Sequence, residues 1–377
     1  MGSQTTRVVV GEFLKGEKNP KIIGVGEAPT LGLRHGYVTD QDLAATSIKN
    51  AVAVAEKSSG LKIKRAFISL SGATMRGETS GGETIVSKAD GEVTTLDINK
   101  ALADCEDNLN IGNKKVIHVY PLSYKLDGKD VLGRMDGMRG TKIEAKALFI
   151  TYSMVHLEDL LGAVAEAGVE AIDVIASPIA IANITLTEKQ KIVGVALVDI
   201  GAETTSLSVF DDGKLIAMHT FSIGGTEITN DIALGFKIPL EKAYDLKLGN
   251  ATEEFSSKKL NEIVEARLCD IFESIDNHLK KMKRSELLPA GVVFVGGGAN
   301  TPGLIELSKS ILKLPSSLGT TEIFGSNKTK LRESSWFTAL GLLTVGKNDR
   351  GYSESSIGNL FKDLKNTIKS SMKQLMP

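Results

Sequence analysis

The stretch "VALVDIGAETTSLSV" runs from Val195 to Val209 and decides the architecture. Its first six residues are apolar apart from Asp199, and a run of that length bounded by a turn signal reads as a buried strand. Gly201 to Thr204 form the turn, and a second strand follows at "TTSLSVF" (Thr204 to Phe210). "DDG" (Asp211 to Gly213) supplies a tight turn, and "KLIAMHTFSI" (Lys214 to Ile223) a third strand. A helix is expected at "TEITNDIALGF" (Thr226 to Phe236).

The chain opens with the same design. "MGSQTTRVVV" (Met1 to Val10) has a glycine, two small or polar residues, a Thr-Thr pair and a β-branched run. "TTRVVVGEF" and "KIIGVGEAP" then read as a hairpin joined by "LKGEKNP". From Asp40 to about Ser58 the apolar spacing is helical, with a polar start that satisfies free amides and Gly60 as a stop. "IKRAFISLSG" (Ile63 to Gly72) follows as a buried strand. A related order of elements twice in one chain predicts duplicated halves facing each other. Only the second copy has its preceding strand and aspartate. An apolar strand ending in an acid is therefore expected ahead of Gly2, as though the start were shifted or the chain shortened.

The two glycine turns suit phosphate. Amides of Gly201 to Thr204 form a nest, the Thr204 hydroxyl adds a donor, and Asp199 is placed to hold a hydrated Mg²⁺. Gly2, Ser3, Gln4 and Thr5 supply a facing cradle. One such turn alone marks only a strand end; two with matched surroundings point to a polyphosphate. Glu203 and Gln4 are candidate bases for an attacking water by position only. A third cluster, Gly296, Gly297 and Gly298, ends the apolar run in "VVFVGGGANTPGL" (Val292 to Leu304), where bare backbone admits a flat ligand such as a nucleoside. Thr301 and Pro302 are expected to start a helix there.

Between the halves, residues from Gly72 to about Ala145 break the rhythm. Thr94 and Asp97 have capping-box spacing before a helix, and "KKVIHVYPLSYKLDG" and "TKIEAKALFITYS" read as strands. This predicts a small α+β insertion.

At 377 residues the chain exceeds what one core usually serves. With 45 Lys+Arg against 46 Asp+Glu, no global field gathers nucleic acid or a charged membrane, so any such contact is local. Two distant cysteines, Cys105 and Cys269, read as free thiols in a reducing compartment. The five histidines, His35, His118, His156, His219 and His278, have no metal-site spacing and read as surface or packing residues.

The C-terminus differs from the rest. "GKNDRGYSESS" (Gly346 to Ser356) is polar, and in the following segment Ile357, Leu360, Phe361, Leu364, Ile368, Met372 and Leu375 share one helical face. Lys362, Lys365, Lys369 and Lys373 flank it. Such a face either docks on the protein's own core or lies in the headgroup region of an anionic membrane while lysine stems snorkel.

In this order, the two turns, the late glycine cluster and "WFTALGLLTVG" (Trp336 to Gly346) resemble the actin, hexokinase and heat-shock-chaperone superfamily. "HVYPLSYKLDG", "GMRGTKIEAKALFIT", "LVDIGAETTSLSVF", "SIGGTEITNDIALGF" and the amphipathic tail are similar to one branch of it, the FtsA family of bacterial cell-division proteins, over nearly the full chain. The resemblance implies an α/β, actin-like fold of two duplicated halves around a nucleotide cleft. Its parts would be a first-half core (1–71 and 146–191) with a family-specific insertion (72–145), and a second-half core (192–223 and 290–345) with an outer subdomain (224–289). A linker (346–356) and an amphipathic membrane helix (357–377) complete it. It implies ATP and Mg²⁺ as cofactors, with adenosine against Gly224, Gly225, Glu241, Lys242 and Gly296 to Gly298. The family glutamate of that pocket falls at Lys242 here, with Glu241 one step off. It further implies filaments of the chain itself and recruitment of other division proteins, on the cytoplasmic face of the membrane at the septum. The C-terminal peptide of the tubulin-like protein FtsZ would be captured at the outer subdomain. There Arg267 matches a family arginine and Lys280, Lys281, Lys283 and Arg284 add positive charge, although such a lysine run is equally a solvated helix face. Hydrolysis, if any, would be slow. The related pilus-assembly family PilM, which shares the fold and an insertion, is the alternative, followed by a sugar-kinase-type phosphotransferase.

Overall fold

Two hairpins, each following a glycine turn, organise the molecule. The computed structural model describes residues 1–14, 19–250, 255–323 and 329–348. In the first half β1 (Thr5–Glu12) pairs antiparallel with β2 (Lys21–Pro29), and a short ribbon of β3 (Leu33–Arg34) and β4 (Tyr37–Val38) turns at His35. The α1 helix (Gln41–Ser59) begins where the Asp40 side chain accepts the Leu43 N–H and ends at Gly60, whose φ of 73° closes it. It buries Ala44, Ile48, Ala51 and Ala55 against β2. Its backbone comes so close that a Cβ on Gly26 would strike the Ala51 carbonyl. β5 (Arg65–Leu70) follows.

The insertion comprises β6 (Arg76–Ile85), α2 (Thr95–Asp107), β7 (Lys114–Leu126), β8 (Lys129–Asp130) and β9 (Lys142–Ser153). The capping box of α2 forms as its spacing predicts, and β7 and β9 pair over their full lengths. β6 was not foreseen. Its sequence, "RGETSGGETI", is polar and glycine-rich, yet it pairs with β9 from Arg76 opposite Thr151 to Ile85 opposite Lys142. Gly82 explains part of this, since a Cβ there would lie 2.7 Å from the Asp104 carbonyl carbon of α2. The insertion has its own core around Val93, Ala101, Ile143 and Phe149, which includes the buried free thiol of Cys105; Cys269 is also free and half-buried.

The chain returns through α3 (Met154–Glu166), β10 (Glu170–Ala176), α4 (Ser177–Thr185) and α5 (Glu188–Val193). The second-half core is β11 (Val195–Ile200), β12 (Thr205–Asp211) and β13 (Lys214–Phe221), with outer helices α6 (Gly225–Phe236), α7 (Leu240–Lys247) and α8 (Ser257–Lys281). It closes with β14 (Val292–Val295), α9 (Leu304–Leu312) and β15 (Ser316–Leu318). The "DDG" turn has Asp212 and Gly213 both at positive φ, 51° and 73°.

One sheet joins the second half to the insertion in the order β15-β14-β11-β12-β13-β6-β9-β7-β8. The junction is a single pair, His219 opposite Arg76, reinforced by the Arg76 guanidinium donating to the Thr220 carbonyl at 2.8 Å.

The structure shifts two expectations. Thr301 and Pro302 do not start α9: the Thr301 hydroxyl bonds back to the Gly298 carbonyl at 2.8 Å, Gly303 turns at φ 77°, and the helix begins at Leu304. The final helix α10 (Phe337–Asn348) follows second-half elements in sequence but packs on the first half, against α4 and along β1 and β5. The membrane helix expected at 357–377, with Ile357, Leu360, Phe361, Leu364, Ile368, Met372, Leu375, Lys362, Lys365, Lys369 and Lys373, lies outside the described residues, as does most of the linker. No helix among the described residues is long and apolar enough to cross a membrane.

Candidate functional site

Both glycine turns close with the same bond. The Gly201 N–H donates to the Thr204 carbonyl at 2.8 Å, and the Gly2 N–H to the Thr5 carbonyl at 3.1 Å. The amides between them, of Ala202 and Glu203 and of Ser3 and Gln4, find no acceptor among the described residues. Such unspent donors are what a phosphate needs.

Two further glycine clusters converge on the second turn. Gly225 N–H donates to the Gly201 carbonyl at 2.9 Å and Thr226 N–H to the Ala202 carbonyl at 2.7 Å. A Cβ on Gly224 would sit 2.6 Å from the Ala202 oxygen, so glycine is required for α6 to begin here. The Glu227 carboxylate accepts the Gly224 N–H at 2.8 Å and completes that helix start. On the other side Gly296, at φ 86°, lies against Asp199 Oδ1 and the Ile200 carbonyl, with no room for a Cβ. Ser334 donates to the Gly296 carbonyl at 2.8 Å and pins the turn. Gly225 faces the Gly298 Cα, whereas Gly297 has open space above it.

Asp199 ends β11 beneath this backbone. Its carboxylate makes no hydrogen bond or ion pair among the described residues, and burial pushes its pKa up to about 6. A desolvated, orphaned carboxylate beside unspent amides fits a hydrated divalent cation shared with phosphate oxygens.

Glu203 bridges the cleft. Its carboxylate accepts the backbone N–H of His35 at 2.6 Å, and its carbonyl lies 3.2 Å from His35 Nδ1. His35 sits on the β3–β4 turn at φ 49°, and its own carbonyl accepts the Ala73 N–H at 3.1 Å. The histidine, read from sequence as a packing residue, thus ties the halves together. Gln4 is exposed, and its carbonyl accepts the Thr30 N–H at 3.0 Å.

On α7, Glu241 and Lys242 occupy exposed positions. The side chain that reaches the glycine cluster is Lys247, whose ammonium donates to the Gly225 carbonyl at 2.9 Å and to the Thr229 hydroxyl at 2.7 Å. Burial lowers its pKa to about 8 against the opposing charge of Glu227. Sequence reasoning missed it; the available signal was that Lys247 shares a helical face with the buried Ala243, four residues earlier.

The five cationic residues of the outer subdomain do not form one free patch. Arg267 makes a two-pronged pair with Asp231, at 2.7 and 3.1 Å, and reaches Asp270 at 3.1 Å. Lys280 pairs with Asp276 at 2.6 Å and Arg284 with Asp211 at 2.7 Å, while Lys281 and Lys283 are exposed. Arg267 and Lys280 are separated by about 20 Å along α8.

Known proteins share this build. The family model "Cell division protein FtsA" matches residues 196–341, and "SHS2 domain inserted in FTSA" matches residues 72–151. The cell division protein FtsA of Bacillus subtilis is 28% identical over 365 residues, covering 91% of this chain and 81% of that protein. FtsA of Pseudomonas aeruginosa is 28% identical over 385 residues, covering 96% and 92%. Among solved structures, the "PilM-PilN type IV pilus biogenesis complex" superposes with TM-score 0.70 at 17% identity, covering 92% of this chain and 96% of that one. Ethanolamine utilization protein EutJ from Carboxydothermus hydrogenoformans superposes at 0.53 with 18% identity, covering 91% and 86%. At these identities the structures share a fold: two actin-like halves, here with an SHS2 insertion.

Proposed function

The chain belongs to the FtsA cell-division family, and from that premise we propose that it is an ATP-binding, self-assembling adaptor joining the FtsZ ring to the inner face of the membrane. The observation that carries the nucleotide part is the convergence of the orphaned Asp199 carboxylate with three stretches of bare backbone, at Gly201, Gly224–Gly225 and Gly296–Gly298. Residues 2–5 and 201–204 would hold the phosphates through backbone amides. Asp199 would hold Mg²⁺ through water, and the cation supplies charge neutralisation across the phosphates. Gly224, Gly225 and Gly296 to Gly298 would lie under the nucleoside, with Lys247 holding their floor.

Of the two positional candidates for a base, Glu203 has its carboxylate committed to the His35 N–H. This supports an assembly switch with slow hydrolysis rather than a phosphotransferase. In the same reading the exposed Lys281 and Lys283 attract the acidic FtsZ C-terminal peptide, which would have to displace Asp231, Asp276 and Asp211 to reach Arg267, Lys280 and Arg284, and residues 357–377 hold the chain on anionic lipid as a peripheral protein at the septum.

Electron microscopy of the full chain with ATP on anionic lipid monolayers tests the whole reading. Filaments that need both ATP and residues 357–377 are expected. Failure of Mg-ATP to bind in titration overturns the nucleotide assignment; lipid binding unchanged by removal of those residues overturns the tether.

A further inference from the structure

The two-residue turn between β3 and β4 touches the phosphate end of the cleft on one side and the insertion on the other. His35 and Gly36 both have positive φ, 49° and 81°, the conformation of a hairpin turn whose twist matches its strands. Such a short turn moves as one piece. On the cleft side the His35 N–H donates to the Glu203 carboxylate at 2.6 Å, and Glu203 supplies one of the unspent amides of the second glycine turn. On the other side the His35 carbonyl accepts the Ala73 N–H at 3.1 Å.

Both connections of the insertion meet this turn. The entry passes Gly72, where the backbones lie so close that a Cβ on Gly36 would sit 2.5 Å from the Gly72 Cα. The exit strand β9 carries the fully buried Tyr152, whose hydroxyl donates to the Ser71 carbonyl at 3.0 Å and lies 3.4 Å from that of Gly36. The insertion's strand pairing with the second half is by contrast the single pair of His219 and Arg76. A unit with its own core and so slender a sheet junction can turn as a body about its two connections.

We propose that the His35–Gly36 turn is a relay: phosphate bound at the Glu203 amide strengthens the Glu203–His35 bond, and the turn passes this to Gly72 and Ala73, fixing the angle of the insertion. The proposal rests on the nucleotide reading above and adds regulation to it. The differential interaction is electrostatic. Held by His35, the Glu203 carboxylate is spent on an N–H; released, it leaves a negative charge free beside the phosphate oxygens, which it repels. Nucleotide therefore favours the clasped turn. By linkage, a partner that turns the insertion and draws Ala73 off the His35 carbonyl weakens nucleotide binding by the same factor.

Spin labels on the full chain test this, placed through Lys129→Cys on β8 and Asn277→Cys on α8, both exposed positions, in a Cys269→Ser background. The labelled chain is diluted with unlabelled chain so that only distances within one molecule are read. Binding of a non-hydrolysable ATP analogue with Mg²⁺ is followed by titration of the same sample. Saturation should shift the label distance by several ångströms and slow hydrogen exchange at Ala73 about tenfold. Gly36→Ala, which forces the turn away from Gly72 and leaves the phosphate turns alone, should bind the analogue without the shift. Glu203→Ala should lose the shift at whatever concentration saturates it. Should Gly36→Ala fail to fold, Tyr152→Phe keeps the ring, removes only the hydroxyl and should weaken the exchange response. Saturation of the parent chain with the label distance unmoved, or a shift in Gly36→Ala or Glu203→Ala equal to the parent's, overturns the relay and leaves the nucleotide site standing. Absence of saturation overturns the nucleotide reading itself, and the relay with it.

Discussion

The turns at Gly2 and Gly201 close with the same hydrogen bond but stand on different foundations. Behind Gly201 a central strand with neighbours on both sides delivers Asp199 to the cleft, and the glycines of two further turns pack on it without room for a Cβ. Behind Gly2 lies a cavity between β1 and β5, and a Cβ on Gly2 itself would meet only the Thr5 carbonyl, at 3.2 Å. A turn of this type is a local structure that a few residues specify. A carboxylate in register with it belongs to the sheet.

The sharpest way to break that comparison is a methyl group on each side. Gly296→Ala must leave φ 86° and push into the Ile200 carbonyl, and a loss of more than about 3 kcal/mol is expected in urea denaturation. Gly2→Ala should cost less than about 1 kcal/mol, because no positive φ is required and only one contact is tight. Equal losses would show that the first turn is as rigidly founded as the second.

Asp199→Asn separates function from stability. Burial raises the pKa of this carboxyl above its ordinary value to about 6, so the folded state holds the proton more tightly than the unfolded chain. The contribution is present at low pH and is lost as pH rises from about 4 through about 6, after which stability is flat. The asparagine variant should lack this decline and be more stable at pH 7 by about 2 kcal/mol, read from denaturation between pH 4 and 7.5. Its Mg-ATP affinity should fall at least about tenfold.

Glu203→Gln tests the tie between the halves. The charge-assisted bond to the His35 N–H becomes a neutral one, and a loss of about 1 kcal/mol is expected, with faster hydrogen exchange at His35. Lys247→Met should change stability least, by under about 1 kcal/mol, since removing a desolvated charge offsets the loss of two hydrogen bonds. Nucleotide affinity, measured by titration, should nevertheless drop a few-fold as the Gly225 floor loosens.

What the sequence by itself determined lies within a few residues of itself. Asp40 and Gly60 bound α1, Thr94 and Asp97 cap α2, Asp212 and Gly213 turn the second hairpin, and two glycine turns repeat one bond, because each depends on neighbours the chain cannot avoid. Apolar periodicity likewise announced β11, β14 and α6, and quoted motifs carried the resemblance to a family whose fold the structure has. The polar β6 escaped because its strand state comes from β9, more than fifty residues away, rather than from its own side chains. Glu203 meets His35 across 168 residues, Lys247 turns under Gly225, and α10 crosses back to the first half. Only the tertiary structure decided these contacts, since their partners are chosen by how sheets and helices stack after local structure has formed. The same holds for the cavity between β1 and β5: both strands were legible, but nothing local says that two strands more than fifty residues apart will line one cavity.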